Sequence, residues 1–492
     1  MPKGARQPLF VSAPQYRALV RESGHDRLFA VVKALLDPDH ALADGLAALR
    51  TEFQVPGAFP VDVLAAADEA AKRVPTDHVD RTDTAFVTLD PATSTDLDQA
   101  FAIEPAGADI PLHYAIADVA WFVDDGGVID REAWARGETL YLPDGKAGLY
   151  PPALAEGAAS LLPDGPRPAI VFTTRVDPAG AARLEDVERA LIRSRAKLAY
   201  ETVTDADLPP GFAELTARIH ADEARRGAAR VDPPEQEIER VGGRLHLRFR
   251  PRLISEERNA ALSLATNMAV GQLLLAHHTG LFRVMAPPDA AAVARLRHTA
   301  LAFGLDWPAA VTLDDYARTL DPADPRSAAF MLAIRRAGNG ASYAPYRDGV
   351  LPWHAAVAAT YAQATAPLRR LADRYVIRAA LAVANGLPVP DAVTEAFARL
   401  PAVMATADAR AGRIDRAAID LAEAAMLQGR IGERFAAMVT DTDDRGARIQ
   451  LADLPVVARV DGTAAMPGDR IKVGLSAVDV TRREIRFERV DG

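Results

Sequence analysis

Thr88-Leu89-Asp90-Pro91-Ala92-Thr93-Ser94-Thr95-Asp96-Leu97-Asp98-Gln99-Ala100 is the stretch on which the reading of this chain turns. Phe86-Val87-Thr88-Leu89 enters it as a short β-type run, and Ala100 to Ile103 leaves it as another. Three aspartates therefore stand at a strand end and in the loop behind it. Asp96 and Asp98 are two apart, so in an extended segment they face one side while Leu97 points toward a core. Converging carboxylates repel unless a cation offsets them. Hard oxygen donors of this kind suit magnesium or manganese. A solvated Asp-rich turn is the alternative, because Asp also serves turns. An EF-hand calcium loop does not fit, since its Gly and terminal Glu are missing.

Outward from this stretch, His113 to Val123 and Ala169 to Val176 read as further strands. After Ser255 the chain turns mainly helical: Glu256 to His278, Asp289 to Phe303 and Ser327 to Ala337. Pro367 suits the first position of a helix reaching about Ala384, with Gly386 as its stop. Asp391 to Leu400 and Ala402 to Gln428 complete the helices. Toward the N-terminus, Tyr16, Leu19 and Val20 share a face, as do Leu28, Val31, Val32 and Leu35. This region reads as a small helical module, with helix-turn-helix-like packing one option. At the other end, Phe435–Val439, Ala447–Leu451, Val456–Val460, Asp469–Leu475 and Glu484–Glu488 are short strands. Five of these suit a closed barrel of OB type.

The 492 residues carry 57 Lys plus Arg against 67 Asp plus Glu, a net charge of −10. That balance speaks against a protein that simply coats nucleic acid, but not against a basic groove inside an acidic shell. Only Lys3, Lys33, Lys72, Lys146, Lys197 and Lys472 are lysines. The arginine excess reads either as coding bias or as forks for phosphates. With 0 Cys, disulfides, thiolate metal sites and a cysteine nucleophile are excluded. No segment reads as a membrane span, and Met1 to Ser23 lacks a signal-peptide pattern. A cytoplasmic location is the expectation. Walker-type, dinucleotide-binding, G-x-S-x-G and H-E-x-x-H motifs are all absent from the sequence.

The Asp-rich stretch resembles the signature of the ribonuclease II (RNB) exoribonucleases, roughly T-[IL]-D-x5-D-[FLM]-D-D-A. The likeness continues in family order. Tyr114-Ala115-Ile116-Ala117-Asp118-Val119 resembles V-A-I-A-D-V, and Asp130-Arg131-Glu132-Ala133 is D-R-E-A. Tyr141-Leu142-Pro143, Ser160-Leu161-Leu162-Pro163, Glu256-Glu257 and Phe282-Arg283-Val284 follow. Tyr361-Ala362-Gln363-Ala364-Thr365-Ala366-Pro367-Leu368-Arg369-Arg370-Leu371-Ala372-Asp373 resembles Y-x-H-F-T-S-P-I-R-R-Y-x-D. These matches span residues 84 to 375.

The resemblance implies an α+β multidomain fold. Its parts would be a helical N-terminal domain (1–78), a mixed α/β RNB catalytic domain (79–430) and an OB-type, ribosomal protein S1-like barrel (431–492). It implies magnesium-dependent hydrolysis of single-stranded RNA from the 3′ end to nucleoside 5′-monophosphates, with manganese as an alternative ion. Structured RNA is a further candidate substrate. Asp90, Asp96, Asp98 and Gln99 would be the metal positions, with Asp98 and Arg369 catalytic and Tyr141 and Arg370 on the RNA. Tyr141 would stack on a base. Arg369, one turn into the helix after Pro367, would bind phosphate oxygens. A monomer without membrane attachment is expected. Glu256 and Glu257 stay unassigned, either functional or capping the long helix.

Several positions depart from the family. Gln99 replaces its fourth aspartate, so an amide oxygen remains but its charge is gone. Met285 stands for a usual His, Ala366 for Ser and Asp415 for a glutamate. Only about 80 residues precede the Asp motif, where the family usually has two cold-shock barrels. A shortened or replaced RNA funnel is the corresponding expectation. An RNA-binding RNB protein with impaired catalysis is the alternative reading.

Overall fold

The computed structural model describes residues 33–34, 41–104, 107–228, 235–241, 244–250, 252–321, 324–338, 340–443, 446–461 and 465–490. The amphipathic positions expected from Tyr16 to Val32 and at Leu35 lie outside these residues. β1 (Lys33–Ala34) precedes two helices, α1 (Ala41–Glu52) and α2 (Val61–Ala70). Then come β2 (Val79–Asp80), β3 (Phe86–Asp90), β4 (Gln99–Ile103), β5 (Ile110–Ala117), α3 (Val119–Phe122) and α4 (Val128–Arg136). A small hairpin, β6 (Leu140–Leu142) and β7 (Gly145–Ala147), is followed by β8 (Arg167–Val176), β9 (Ala182–Ile192) and β10 (Ser194–Ala199). Next are α5 (Phe212–Arg226), β11 (Glu235–Val241), β12 (Arg244–Arg250), α6 (Ile254–Ala276) and β13 (Leu281–Val284). α7 (Ala290–Ala302), α8 (Leu313–Ala317), α9 (Pro325–Ala337), β14 (Ser342–Pro345), α10 (Leu371–Ala384) and α11 (Asp391–Leu427) lead to the last unit. That unit is β15 (Arg434–Asp443), β16 (Gly446–Leu451), β17 (Val457–Val460), β18 (Arg470–Asp479) and β19 (Glu484–Arg489).

The centre is a seven-stranded mixed sheet in the order β10-β3-β4-β5-β8-β9-β2. β3 and β5 are buried along nearly their whole length, which is why they read as continuous apolar runs. Helices α6 and α10 pack into the same core as the sheet. The C-terminal strands close a barrel in the order β15-β16-β17-β19-β18, sealed by one parallel pair, β17 with β19. This is the OB-type barrel expected from five short strands.

Strand β5 and helix α11 depart from expectation. The strand from His113 stops at Ala117, because the Asp118 side chain accepts the Trp121 amide (3.2 Å) and caps α3. The expected break at Pro401 is absent, and α11 runs through it for 37 residues. Proline inside a helix costs about 3 kcal/mol. Phe397, Leu400 and Met404, all buried in the main core around it, offset that cost. Helix α6 is also long and apolar enough, at mean hydropathy 1.2, to cross a membrane by composition alone. Here 67% of that span is buried, so its apolarity serves the core.

Near its end α11 joins three units through one buried carboxyl. Glu423 Oε1 accepts from Gln236 Nε2 (2.5 Å) and from the Val457 amide (2.8 Å) of the barrel. Burial pushes Glu423 up to about 8 from the usual 4.5. The folded state therefore holds this proton more tightly than the unfolded chain. The resulting stability is fully present below about pH 4.5 and is lost as pH rises through 8. Between pH 6 and 9 the melting temperature is expected to fall with pH. Glu423 contributes up to about 1.4 kcal/mol per pH unit to that slope. Glu423→Gln should make the slope shallower by up to that amount; an unchanged slope in thermal denaturation would remove Glu423 as a contributor.

Candidate active site

The Asp loop is held by its neighbours at each end. Asp90 closes β3 opposite Ala199 of the parallel β10, and its carbonyl accepts the Tyr200 amide (3.1 Å). Asn259 of α6 donates to the Leu89 carbonyl (3.1 Å) and to the Tyr200 hydroxyl (2.7 Å). Leu97 is fully buried, as the alternation demanded. Ser160, also fully buried, clamps the loop around it. Its Oγ accepts the Leu97 amide (2.9 Å) and donates to the Thr95 carbonyl (2.7 Å). Leu161 N–H donates to the Leu97 carbonyl (3.0 Å). With Leu97 fixed, Asp96 and Asp98 flank it.

Asp98 meets the second sequence block across 270 positions of chain. Its Oδ1 accepts the Leu368 amide (2.7 Å), and Arg369 Nε lies 3.2 Å from Oδ2. That block is fixed from α6. Asn267 Oδ1 accepts the Ala364 amide (2.8 Å), and its Nδ2 donates to Tyr361 Oη and Thr365 Oγ1 (3.2 Å each).

Pro367 does not begin α10; the helix starts at Leu371. The preceding turn is bound elsewhere. The Ala366 amide donates to Asp373 (2.8 Å), the Leu368 amide to Asp98, and Arg370 is extended, bridged to Glu138. Arg369 therefore stands before the helix, and the Leu368 amide is not free for an anion. Its side chain is 44% exposed, so the fork remains open beyond its bond to Asp98. Arg370 gives both fork arms to the fully buried Asp373 (2.9 and 2.7 Å). Glu256 is a cap after all. Its carboxylate accepts the Leu253 amide (2.8 Å) and pairs with Arg250 (2.8 Å).

The β6–β7 hairpin meets the loop at Asp96. Its base is tied to the arginine turn by the Thr139 amide, which donates to the Arg369 carbonyl (2.9 Å). Tyr141 and Lys146 are cross-strand partners, and both reach Asp96. Tyr141 Oη donates to Oδ2 (3.4 Å) while the residue stays 51% exposed; Lys146 Nζ lies 2.9 Å from Oδ1. Gln99 Oε1 accepts the Tyr114 hydroxyl.

Electrostatically the site is short of positive charge. Burial pushes Asp90 up to about 7; Arg369 opposes this and Asp96 adds to it. Burial likewise lifts Asp98 to about 7 against Arg369 and the Leu368 amide. Buried carboxylates so placed are the donors that a hard divalent cation offsets. Among the described residues no three His, Asp or Glu side chains are gathered closely enough to form a complete ligand shell. Lys146, Ser160, Asn267 and Tyr114 were given no role from the sequence. Lys146 carried a signal as one of so few lysines, and Tyr114 and Ser160 each open a block that resembles the family.

The pattern described as the RNB domain matches residues 78–385. This chain belongs to the RNB family. It is thereby placed among hydrolytic exoribonucleases, and residues 433–490 match the RNase II-type exonuclease C-terminal S1 domain. Ribonuclease R of Aquifex aeolicus is 25% identical to this RNB protein, over 89% of this chain and 69% of the relative. Exoribonuclease 2 of Cronobacter sakazakii is 27% identical, over 82% and 68%. In fold, Mycoplasma genitalium RNase R, solved with ribose-methylated single-stranded RNA, superposes at TM-score 0.82. Its identity is 20%, over 93% of this chain and 79% of that one. Yeast Ssd1, described as a pseudonuclease, shares the RNB fold at TM-score 0.65 and 17% identity, over 91% and 58%.

Proposed function

We propose that this chain is a catalytically active, divalent-metal-dependent 3′-to-5′ exoribonuclease that releases nucleoside 5′-monophosphates from single-stranded RNA. The observation that carries this reading is the meeting of Asp98 with the open fork of Arg369 beside Asp90. Asp90 and Asp98 would hold magnesium, or manganese in its place. When bound, the ion lowers the pKa of water and neutralises charge on the phosphate.

The protein's own groups do the rest. Asp98 orients Arg369 through Nε, so the remaining nitrogens present two donors to non-bridging phosphate oxygens. These donors favour the charge that builds as the phosphate becomes five-coordinate. Arg370, bound by Asp373, positions its neighbour and does not reach RNA in this reading. The half-exposed Tyr141 ring supplies a stacking face for any base, which suits hydrolysis without sequence preference.

Removal of metal tests the reading. End-labelled single-stranded RNA with magnesium is expected to yield mononucleotides, and with EDTA none. A gel shift without magnesium-dependent release would instead favour an RNA-binding protein, the reading that Gln99 supports.

A further inference from the structure

The strand that carries Tyr141 rests on the N-terminal helices. Leu140 and Leu142 flank the tyrosine in β6, so they point to the opposite face of the strand. There they join one small apolar cluster with Phe53 and Val55, just past α1, and Ile414 of α11. Helix α1 is itself firmly seated. Its Leu46 and Leu49 share a core with Leu421 of α11. Gly45 permits the close crossing, since a Cβ there would stand 2.6 Å from Leu421 Cδ1. Glycine is otherwise a poor residue inside a helix.

From this seat the last turn of α1 makes two forked ion pairs. Arg50 donates through Nε and Nη2 to both oxygens of Asp144, in the turn between β6 and β7 (2.9 and 2.8 Å). Two residues on, Glu52 accepts from both arms of Arg483, in the turn between β18 and β19 of the barrel (2.8 and 3.1 Å). Positions two apart on a helix do not face each other, so one turn reaches the hairpin on one side and the barrel on another. Val480 of the barrel turn also packs against the α1–α11 core. A single exposed ion pair contributes little. These pairs are partly covered, with Arg50 and Asp144 each 31% exposed, and they join segments 94 and 431 positions apart. Two parallel bonds fix direction as well as distance.

We propose that the last turn of α1 is a brace for RNA binding. Arg50 fixes the hairpin that presents Tyr141, and Glu52 ties the barrel to the same turn, so the stacking ring and the barrel keep one spacing. Both act through other groups and are positioning residues. This rests on the reading of Tyr141 as a stacking face given above.

Affinity of the full chain for single-stranded RNA in EDTA, beside single-turnover release with magnesium at saturating RNA, tests it. Arg50→Glu sets two acids against each other and is expected to weaken affinity about fivefold or more, with the release rate within about twofold. Asp144→Arg is expected to do the same. A direct contact of Arg50 with phosphate predicts the opposite for Asp144→Arg, which adds positive charge. Arg50→Glu combined with Asp144→Arg rebuilds the pair and is expected to return affinity to within about twofold of wild type. Glu52→Arg, alone and with Arg483→Glu, is expected to follow the same pattern. If a single reversal does not fold, Arg50→Met and Glu52→Gln are each expected to weaken affinity about two- to threefold. Unchanged affinity in the single variants, tighter binding by Asp144→Arg, or no recovery in the double reversals would each overturn the brace. Tyr141→Ala is expected to weaken affinity about tenfold; unchanged affinity there would instead overturn the stacking reading.

Discussion

Asp98→Asn is expected to lower mononucleotide release by about three orders of magnitude while RNA affinity changes less than about threefold. The substitution keeps volume and removes charge. Its oxygen can still accept the Leu368 amide, so the turn before α10 keeps its anchor. Its new amide would face Arg369 Nε, donor against donor, across the present 3.2 Å contact. One change thus removes an anionic metal donor and releases the fork that meets the phosphate. In the proposed reading Asp98 does not carry the binding, to which the Tyr141 ring contributes, so the gel shift is expected to survive. Single-turnover release of labelled nucleotide, beside a gel shift with the same RNA, reads the two effects apart. Activity within about tenfold of wild type would take Asp98 out of the chemistry.

How much of this was legible in the sequence depended on how local each signal was. The period-2 spacing of Asp96, Leu97 and Asp98 placed the leucine inside, and it is fully buried. The five barrel strands each carried their own alternation and all formed. β9 was not recognised. Arg183, Glu185, Asp186, Glu188 and Arg189 hide the few inward positions, of which Val187, Ala190 and Ile192 are buried. The helix start at Pro367 failed for a non-local reason. Asp98 and Asp373 take the amides that would have opened the first turn. The same contacts change the role open to Arg370, whose partner Asp373 was visible three residues away but whose burial was not. Lys146 and Ser160 meet the Asp loop from distant parts of the chain, and no periodicity links them to it.

The D-R-E-A stretch shows the same limit, and its first residue carries the largest expected effect on stability. Arg374 and Asp130 are an ion pair buried to 1% and 5% exposure. Arg374 also donates to Tyr375 Oη (2.6 Å) and reaches Tyr150 Oη (3.4 Å). Tyr375 Oη donates to Asp130 (3.1 Å) and accepts from Trp134 Nε1 (2.8 Å), while the Gly126 amide closes the other carboxylate oxygen (2.8 Å). The pair pins α4 to α10. Just beyond the pair, the Leu371 amide donates to the Gly137 carbonyl (3.0 Å), and the chain passes from α4 into the Tyr141 hairpin. It is the strut behind Arg369. Arg374→Met leaves a carboxylate buried without its cation, and Asp130→Leu leaves the converse. Either is expected to cost about 3–5 kcal/mol in denaturant unfolding. The double variant removes both charges and is expected to cost less than either single one, because no uncompensated charge remains. Additive losses would mean that the pair contributes through packing alone. If the strut reading holds, the single variants also lose RNA hydrolysis before they lose the fold, since Arg369 and Tyr141 are aimed from its two ends.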